Sequence, residues 1–283
     1  HASVAWRPDG RSFFYSRYPE PGTVPAGDEM YGAKIYEHTL GADWKDDPLV
    51  FGDLKDKTDI PVVYASPDGR WLVVQIHQGW DKNEIYVCDV GGPGPRTFVP
   101  VAVGEHAIYE PTATNDALYL RTNEGASRYR LFRVDWRDPA RARWREILAE
   151  GEDVLEDAAI VGDVIVATYL HHASTRLARF SLEGRKLGEI ALPSIGSASG
   201  TGPLEGGEAF VTFTSHVVPW RVYRVDLARA SEGDLPADQL SNQHSKQIQA
   251  GNQRERPGRR KCRGERLSDP CRQAGLDQRG ADW

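Results

Sequence analysis

Few residues along this chain could carry chemistry. His77 closes the run Trp71–His77 and is followed by Gln78-Gly79-Trp80. An imidazole there can donate a hydrogen bond, and an indole can pack on an apolar side chain, so His77 and Trp80 read as substrate-contact candidates. His171-His172 are adjacent, which in a strand sends their rings to opposite faces. Neither has Cys or a carboxylate at metal-ligand spacing, so the pair reads as structural or solvated. Glu152, Asp153, Glu156 and Asp157 lack EF-hand spacing and read as a solvated loop. Gly196-Ser197-Ala198-Ser199-Gly200 has alanine where a nucleophile elbow needs serine, and no helix pattern follows, so it reads as a loop. There is no Gly-x-Ser-x-Gly, no phosphate-binding loop and no dinucleotide fingerprint. Cys88, Cys262 and Cys271 make no disulfide framework and read as ordinary thiols. The expectation is therefore no catalytic residue, no metal and no cofactor in this chain.

The elements that must position His77 and Trp80 recur. Ser12–Tyr18, Trp71–His77, Ala117–Asn123, Val164–Leu170 and Glu208–Thr214 are short β runs centred on Phe14, Val73, Tyr119, Val166 and Val211. A second set follows them: Tyr36–Leu40, Tyr86–Val90, Phe132–Trp136, Ala178–Leu182 and Tyr223–Leu227. Each places Thr, Asp or Ser fourth and an apolar residue fifth. Both sets repeat at about 45 residues after a longer first interval, the period of a propeller blade. Leading strands Ser3–Trp6 and Val62–Ala65 run into Pro-Asp-Gly turns, in which Pro fixes φ and Gly allows a positive value. Fourth strands fall at Pro48–Phe51, Thr97–Val101, Glu146–Leu148 and Glu189–Leu192. The reading is an all-β propeller over 1–228. Its five four-stranded blades are 1–54, 55–104, 105–150, 151–193 and 194–228, out of a seven-bladed ring. The chain starts in a strand-like run, so it reads as a piece of a longer one.

The first hairpin is longer than the rest by roughly ten residues, within Pro19–Ala33. Its prolines and glycines bar strand pairing, so it should be an exposed, mobile loop. Pro19, Glu20, Pro21, Gly22, Asp28 and Glu29 are its gating candidates. Strand direction alternates within a blade, which puts this loop and the His77–Trp80 loop on one rim.

After Leu227 the pattern stops, and the fifth unit receives no fourth strand. Residues 229–283 are poor in large apolar side chains and dense in charge, as in Arg254-Glu255-Arg256-Pro257-Gly258-Arg259-Arg260-Lys261. Such a tail cannot offset its ordering entropy; it reads as a disordered extension or as sequence out of frame. The net charge of −6 argues against nucleic acid as a partner. No apolar run is long enough to span a bilayer, and no signal peptide is visible, leaving cytoplasm as the default and periplasm as the alternative.

With the blades placed, the chain resembles the propeller of prolyl oligopeptidases, serine peptidases that cut short peptides after proline. Ser3–Gly10, Phe14-Tyr15, Tyr18-Pro19, Lys34–Gly41, Thr122-Asn123, Tyr129-Arg130-Leu131, Asp153–Glu156, Tyr169-Leu170-His171 and Phe213-Thr214-Ser215 carry the resemblance. It implies a partner absent from this chain: an α/β-hydrolase domain of the same polypeptide, bearing the Ser-Asp-His triad and the oxyanion hole. It also implies short proline-containing peptides as substrates of the intact enzyme, no catalytic activity in this chain alone, and a filtering role for the propeller. In the family, the loop at His77–Trp80 offers an arginine and a cysteine to the substrate; His77 and Trp80 fill those places here. The long first hairpin is similar to the family's loop for substrate access. The rival readings are a non-enzymatic propeller scaffold and the propeller of a related peptidase such as oligopeptidase B.

Overall fold

The computed structural model describes residues 3–52, 54–92, 94–201 and 207–227. The tail at 229–283 lies outside them. Among the described residues the regular structure is β-strand, apart from single 3-10 turns at Trp44–Asp46 and Arg141–Arg143.

Five antiparallel sheets follow one another along the chain. The first holds β1 (Val4–Trp6), β2 (Ser12–Arg17), β3 (Lys34–Thr39) and β4 (Leu49–Phe51). The second holds β5 (Ile60–Ala65), β6 (Trp71–His77), β7 (Asn83–Asp89) and β8 (Val99–Ala102). The third holds β9 (Tyr109–Ala113), β10 (Leu118–Thr122), β11 (Arg130–Val134) and β12 (Arg145–Leu148). The fourth holds β13 (Val154–Val161), β14 (Val164–His171), β15 (Ser174–Ser181) and β16 (Lys186–Ile190). The fifth has three strands among the described residues: β17 (Ser197–Thr201), β18 (Glu208–Thr214) and β19 (Arg221–Asp226). Each sheet pairs its strands in chain order, as meandering propeller blades do.

Burial explains the patterning. In β6 both faces are covered, so six consecutive residues are buried rather than every second one. Leu72, Val74 and Ile76 face blade 1, against Phe14, Ile35 and Phe51. Trp71 and Val73 face blade 3, against Tyr109, Leu118 and Leu120. Each such side chain contributes about 1.5–3 kcal/mol on burial. The turns of adjacent blades also touch. A Cβ on Gly69 (φ +68°) would come within 2.2 Å of Pro8 Cδ, so this Pro-Asp-Gly turn needs glycine for space as well as for conformation.

First strands lie innermost. Each entering first strand packs over the preceding blade, β5 over β1 to β3 and β17 over β13 to β15, and among the described residues no two fourth strands come comparably close. Polar side chains tie the blades together there. Val63 N–H donates to Ser3 Oγ at 3.1 Å. Gln75 Nε2 and Asn83 Nδ2 both donate to the Tyr109 carbonyl, at 2.8 and 3.1 Å, and Tyr109 N–H donates to Asn83 Oδ1 at 2.9 Å. Arg121 occupies the same repeat position as Gln75, and its Nη1 donates to the Leu155 carbonyl at 2.9 Å.

Three sequence readings are corrected. Ser197-Ala198-Ser199-Gly200 is not a loop but most of β17, the innermost strand of blade 5. Small residues are required there: a Cβ on Gly200 would lie 2.9 Å from Val166 Cγ1, and one on Gly196 2.4 Å from the Thr214 carbonyl oxygen. His171 and His172 do not diverge. His172 (φ 44°) and Ala173 (φ 62°) form the tight turn between β14 and β15, which folds the two rings together at 4.3 Å. The acidic cluster is not one solvated loop. Asp153 accepts from His171 Nδ1 and Arg176 Nη2, each at 2.8 Å, while Glu156 and Asp157 belong to β13.

Candidate functional site

The β2–β3, β6–β7, β10–β11, β14–β15 and β18–β19 hairpins share one rim with the connections that enter each new blade. Gly32 N–H of the first hairpin bonds the Lys57 carbonyl of the connection into blade 2 at 2.7 Å, and Thr175 N–H, at the start of β15, bonds the Gly196 carbonyl of the connection into blade 5 at 2.9 Å. Lys57 leads into β5, whose Ile60 pairs with His77. The long first hairpin and the His77 end of blade 2 therefore do lie on the same rim.

The first hairpin is a succession of turns. Thr23 N–H bonds the Glu20 carbonyl, Asp28 N–H the Pro25 carbonyl and Tyr31 N–H the Asp28 carbonyl, at 3.0–3.1 Å. Gly22, Gly27 and Gly32 supply its positive φ values. Pro19 lies beside Gly32 across the stem of the loop. Pro21 and Gly22 are exposed; Glu29 Oε2 accepts from Gly27 N–H at 2.9 Å. Asp28 pairs with Lys57 Nζ at 2.7 Å, and that ammonium also sits 5.2 Å from the Tyr31 ring. The returning arm of the loop is thus fastened at Asp28 and Gly32, while Pro21 and Gly22 are exposed.

His77 and Trp80 are separated. Trp80 is 98% exposed at the tip of the hairpin. His77 is half-buried at the last position of β6, opposite Asn83, and turns into a cavity of about 300 Å³. Tyr64 from β5, Glu110 and Thr112 from β9, Arg121 from β10 and Asp157 from β13 line that cavity with it. Burial lowers the His77 imidazole below its ordinary range, with Glu110 pulling the other way. Burial also raises the Tyr64 phenol, and Glu110 adds to that shift. Asp157 opens on the central channel, yet the surrounding blades raise its carboxyl; the Ala158 N–H and Arg121 oppose the shift and Glu110 adds to it. Arg121 is committed elsewhere. One Nη meets the Glu110 carboxylate, the other the Leu155 carbonyl, and the guanidinium lies 4.2 Å from the Tyr129 ring centre.

Of the side chains around this cavity, the sequence singled out His77 and placed Asp157 in an acidic stretch; it did not single out Tyr64, Glu110 or Arg121. The signal available was the repeat itself: aligning units puts Gln75 and Arg121 at one position, two residues past the strand centre. Among the described residues no group of three His, Cys, Asp or Glu could hold a metal ion, and no helix is long and apolar enough to cross a membrane.

The rim has a second property. Met30, Trp80, Ile195, Val217 and Trp220 are the five most exposed large apolar side chains among the described residues, each at least 66% open, and all five lie on it. Strand alternation does not place them there; all sit in hairpins or blade-entering connections.

Residues 1–233 match the family described as prolyl oligopeptidase, N-terminal beta-propeller domain. A prolyl endopeptidase of Elizabethkingia meningoseptica is 28% identical over 230 residues, covering 80% of this chain and 32% of the relative. Prolyl oligopeptidase A of Galerina marginata is 26% identical over 243 residues, covering 82% of this chain and 33% of the relative. A solved prolyl endopeptidase, studied for inter-domain dynamics in catalysis and specificity, superposes with a TM-score of 0.76 at 32% identity, over 82% of this chain and 34% of its own. Prolyl oligopeptidase B of Galerina marginata, solved with a 25mer macrocyclisation substrate, shares the fold at a TM-score of 0.71 and 21% identity, over 80% of this chain and 32% of its own. The chain spans about a third of the length of these relatives. Its blades, their order and this match over 1–233 place it in the prolyl oligopeptidase N-terminal β-propeller family.

Proposed function

We propose that this propeller is the shielding and substrate-filtering part of a serine peptidase that cleaves short peptides after proline. Its partner is an α/β-hydrolase domain seated on the hairpin rim and carrying a Ser-Asp-His triad. The family match over residues 1–233 carries this reading. That the five most exposed large apolar side chains among the described residues all sit on this rim, and none on the opposite one, supports it. The chain's own contribution is exclusion. Blades packed on both faces form a rigid wall, and a peptide must be narrow and flexible to pass it. His77 would offer a hydrogen bond to a peptide inside, and Trp80 an apolar contact at the rim. The Pro19–Ala33 hairpin, fastened at Asp28 and Gly32 and exposed at Pro21 and Gly22, would act as the gate.

The test has two parts. The 283-residue chain alone should not hydrolyse a Gly-Pro-amide reporter. Residues 3–227 exchanged for the matching segment of the Elizabethkingia meningoseptica enzyme should restore cleavage of short proline peptides and still spare folded proteins. Turnover by the chain alone, or a folded chimera that degrades casein and short peptides alike, would overturn the proposal.

A further inference from the structure

The five innermost strands carry three carboxylates, Glu110, Glu156 and Asp157, and no Lys or Arg at all. All three stand on blades 3 and 4, two of them in the cavity beside His77. Its one cation, Arg121, is spent: its two Nη groups serve Glu110 and the Leu155 carbonyl. Arg121 is itself nine-tenths buried, and its Nε has no hydrogen-bond partner among the described residues. The Glu110 charge is thereby met directly, whereas Asp157 has no direct ion pair and feels Arg121 only at longer range. The hydrogen bond given to the Asp157 side chain comes from the N–H of its own neighbour, Ala158, at 2.8 Å. No Lys, Arg or His makes an ion pair with Asp157 among the described residues. A break in strand register between Leu155 and Asp157 turns this side chain out of the packed face of the blade. Tyr64 and Thr112 add hydroxyls to the same wall, and burial disfavours a positive charge on His77. A space of about 300 Å³ is at the small end for ligand pockets and suits one side chain rather than a whole ligand.

We propose that this cavity is a subsite for a basic side chain of the peptide, with Asp157 as its charge partner and Glu110, Tyr64 and Thr112 as the surrounding acceptors. An arginine or lysine entering it would give Asp157 a direct ion pair, in a place partly shielded from water. That the ligand is a peptide rests on the peptidase reading; that it is cationic rests on the cavity alone.

The test compares acetyl-arginyl-proline amide with its uncharged isostere acetyl-citrullyl-proline amide, titrated into the 283-residue chain at low salt and followed by calorimetry and by the His77 imidazole resonance. The arginine peptide should bind about tenfold more tightly, the ratio for one modest charge-assisted hydrogen bond. The advantage should shrink with added salt, disappear in Asp157→Asn and persist in Asp157→Glu. Equal affinities, no binding of either peptide, a salt-independent ratio, or an undiminished advantage in a folded Asp157→Asn chain would overturn it. If the Asn variant does not fold, the wild-type ratio and its salt dependence decide. Failure of the peptidase reading is seen separately: the chimera would not turn over the citrulline peptide, whatever the arginine-to-citrulline ratio.

Discussion

Asn83 offers the sharpest test of how the blade bearing His77 is held. It is fully buried, pairs with His77 across the β6–β7 hairpin, and clamps the first residue of β9 in both directions. In Asn83→Ala the Tyr109 carbonyl keeps Gln75 Nε2, but the Tyr109 N–H loses its acceptor. Two hydrogen bonds go, at about 0.5–1.5 kcal/mol net each, and one buried N–H is orphaned, at about 1–3 kcal/mol. The N–H penalty overlaps the loss of its own bond, so we expect about 2–4 kcal/mol. Urea denaturation at unchanged m-value measures it. Asn83→Asp should also destabilise the chain: it keeps the acceptor for Tyr109 N–H but sets a carboxylate oxygen about 3.1 Å from a carbonyl. Gln75→Ala and Asn83→Ala share the Tyr109 carbonyl, so their costs should not add. If Asn83→Ala lies within about 0.5 kcal/mol of wild type, water or another group serves Tyr109, and the inter-blade clamp is not what holds these blades.

Two further predictions concern single side chains. Thr168 occupies the repeat position of Gln75 and Arg121, but its short hydroxyl is buried with no hydrogen-bond partner among the described residues. Thr168→Val should therefore stabilise the chain by about 1 kcal/mol in urea, and a loss of that size would show that the hydroxyl is satisfied after all. His77 has a folded-state pKa below its unfolded one, so protonation favours the unfolded chain. Its contribution is complete above about pH 6.5 and falls as pH drops from there to the folded value, where it levels off. His77→Gln should flatten the pH dependence of the denaturation midpoint across that window; a superimposable profile would mean the imidazole is open to water.

The repeat made the blades readable because each unit states its strands in the same order and closes them with similar turns. It also dated the departures: the long first hairpin shows as an interval that does not fit. What escaped was whatever the neighbouring blade decides. Gly196–Gly200 is poor in strand formers, and β17 forms because it pairs along its length with β18, with glycine needed at Gly200, beside Val166, and at Gly196, beside Phe213. His171 and His172 were paired by a turn whose signature is backbone conformation rather than residue type. Tyr64, Glu110, Arg121 and Asp157 come from three blades, and no local pattern links them.

Asp157 shows why periodicity alone could not have found the cavity. By strict alternation it would share a face with Leu155, which is packed between blades 3 and 4. A carboxylate there would be buried against Ile160 and Ala158 without a partner, at a penalty no single ion pair on this sheet could offset. The register break between Leu155 and Asp157 resolves the conflict by exposing two consecutive residues, Glu156 and Asp157, on the channel side, while Leu155 and Ala158 stay inside. One inserted residue therefore converts an impossible core position into a channel-facing charge. Two adjacent acids inside an otherwise apolar first strand are the trace this leaves in sequence, and they mark where the strand cannot be regular.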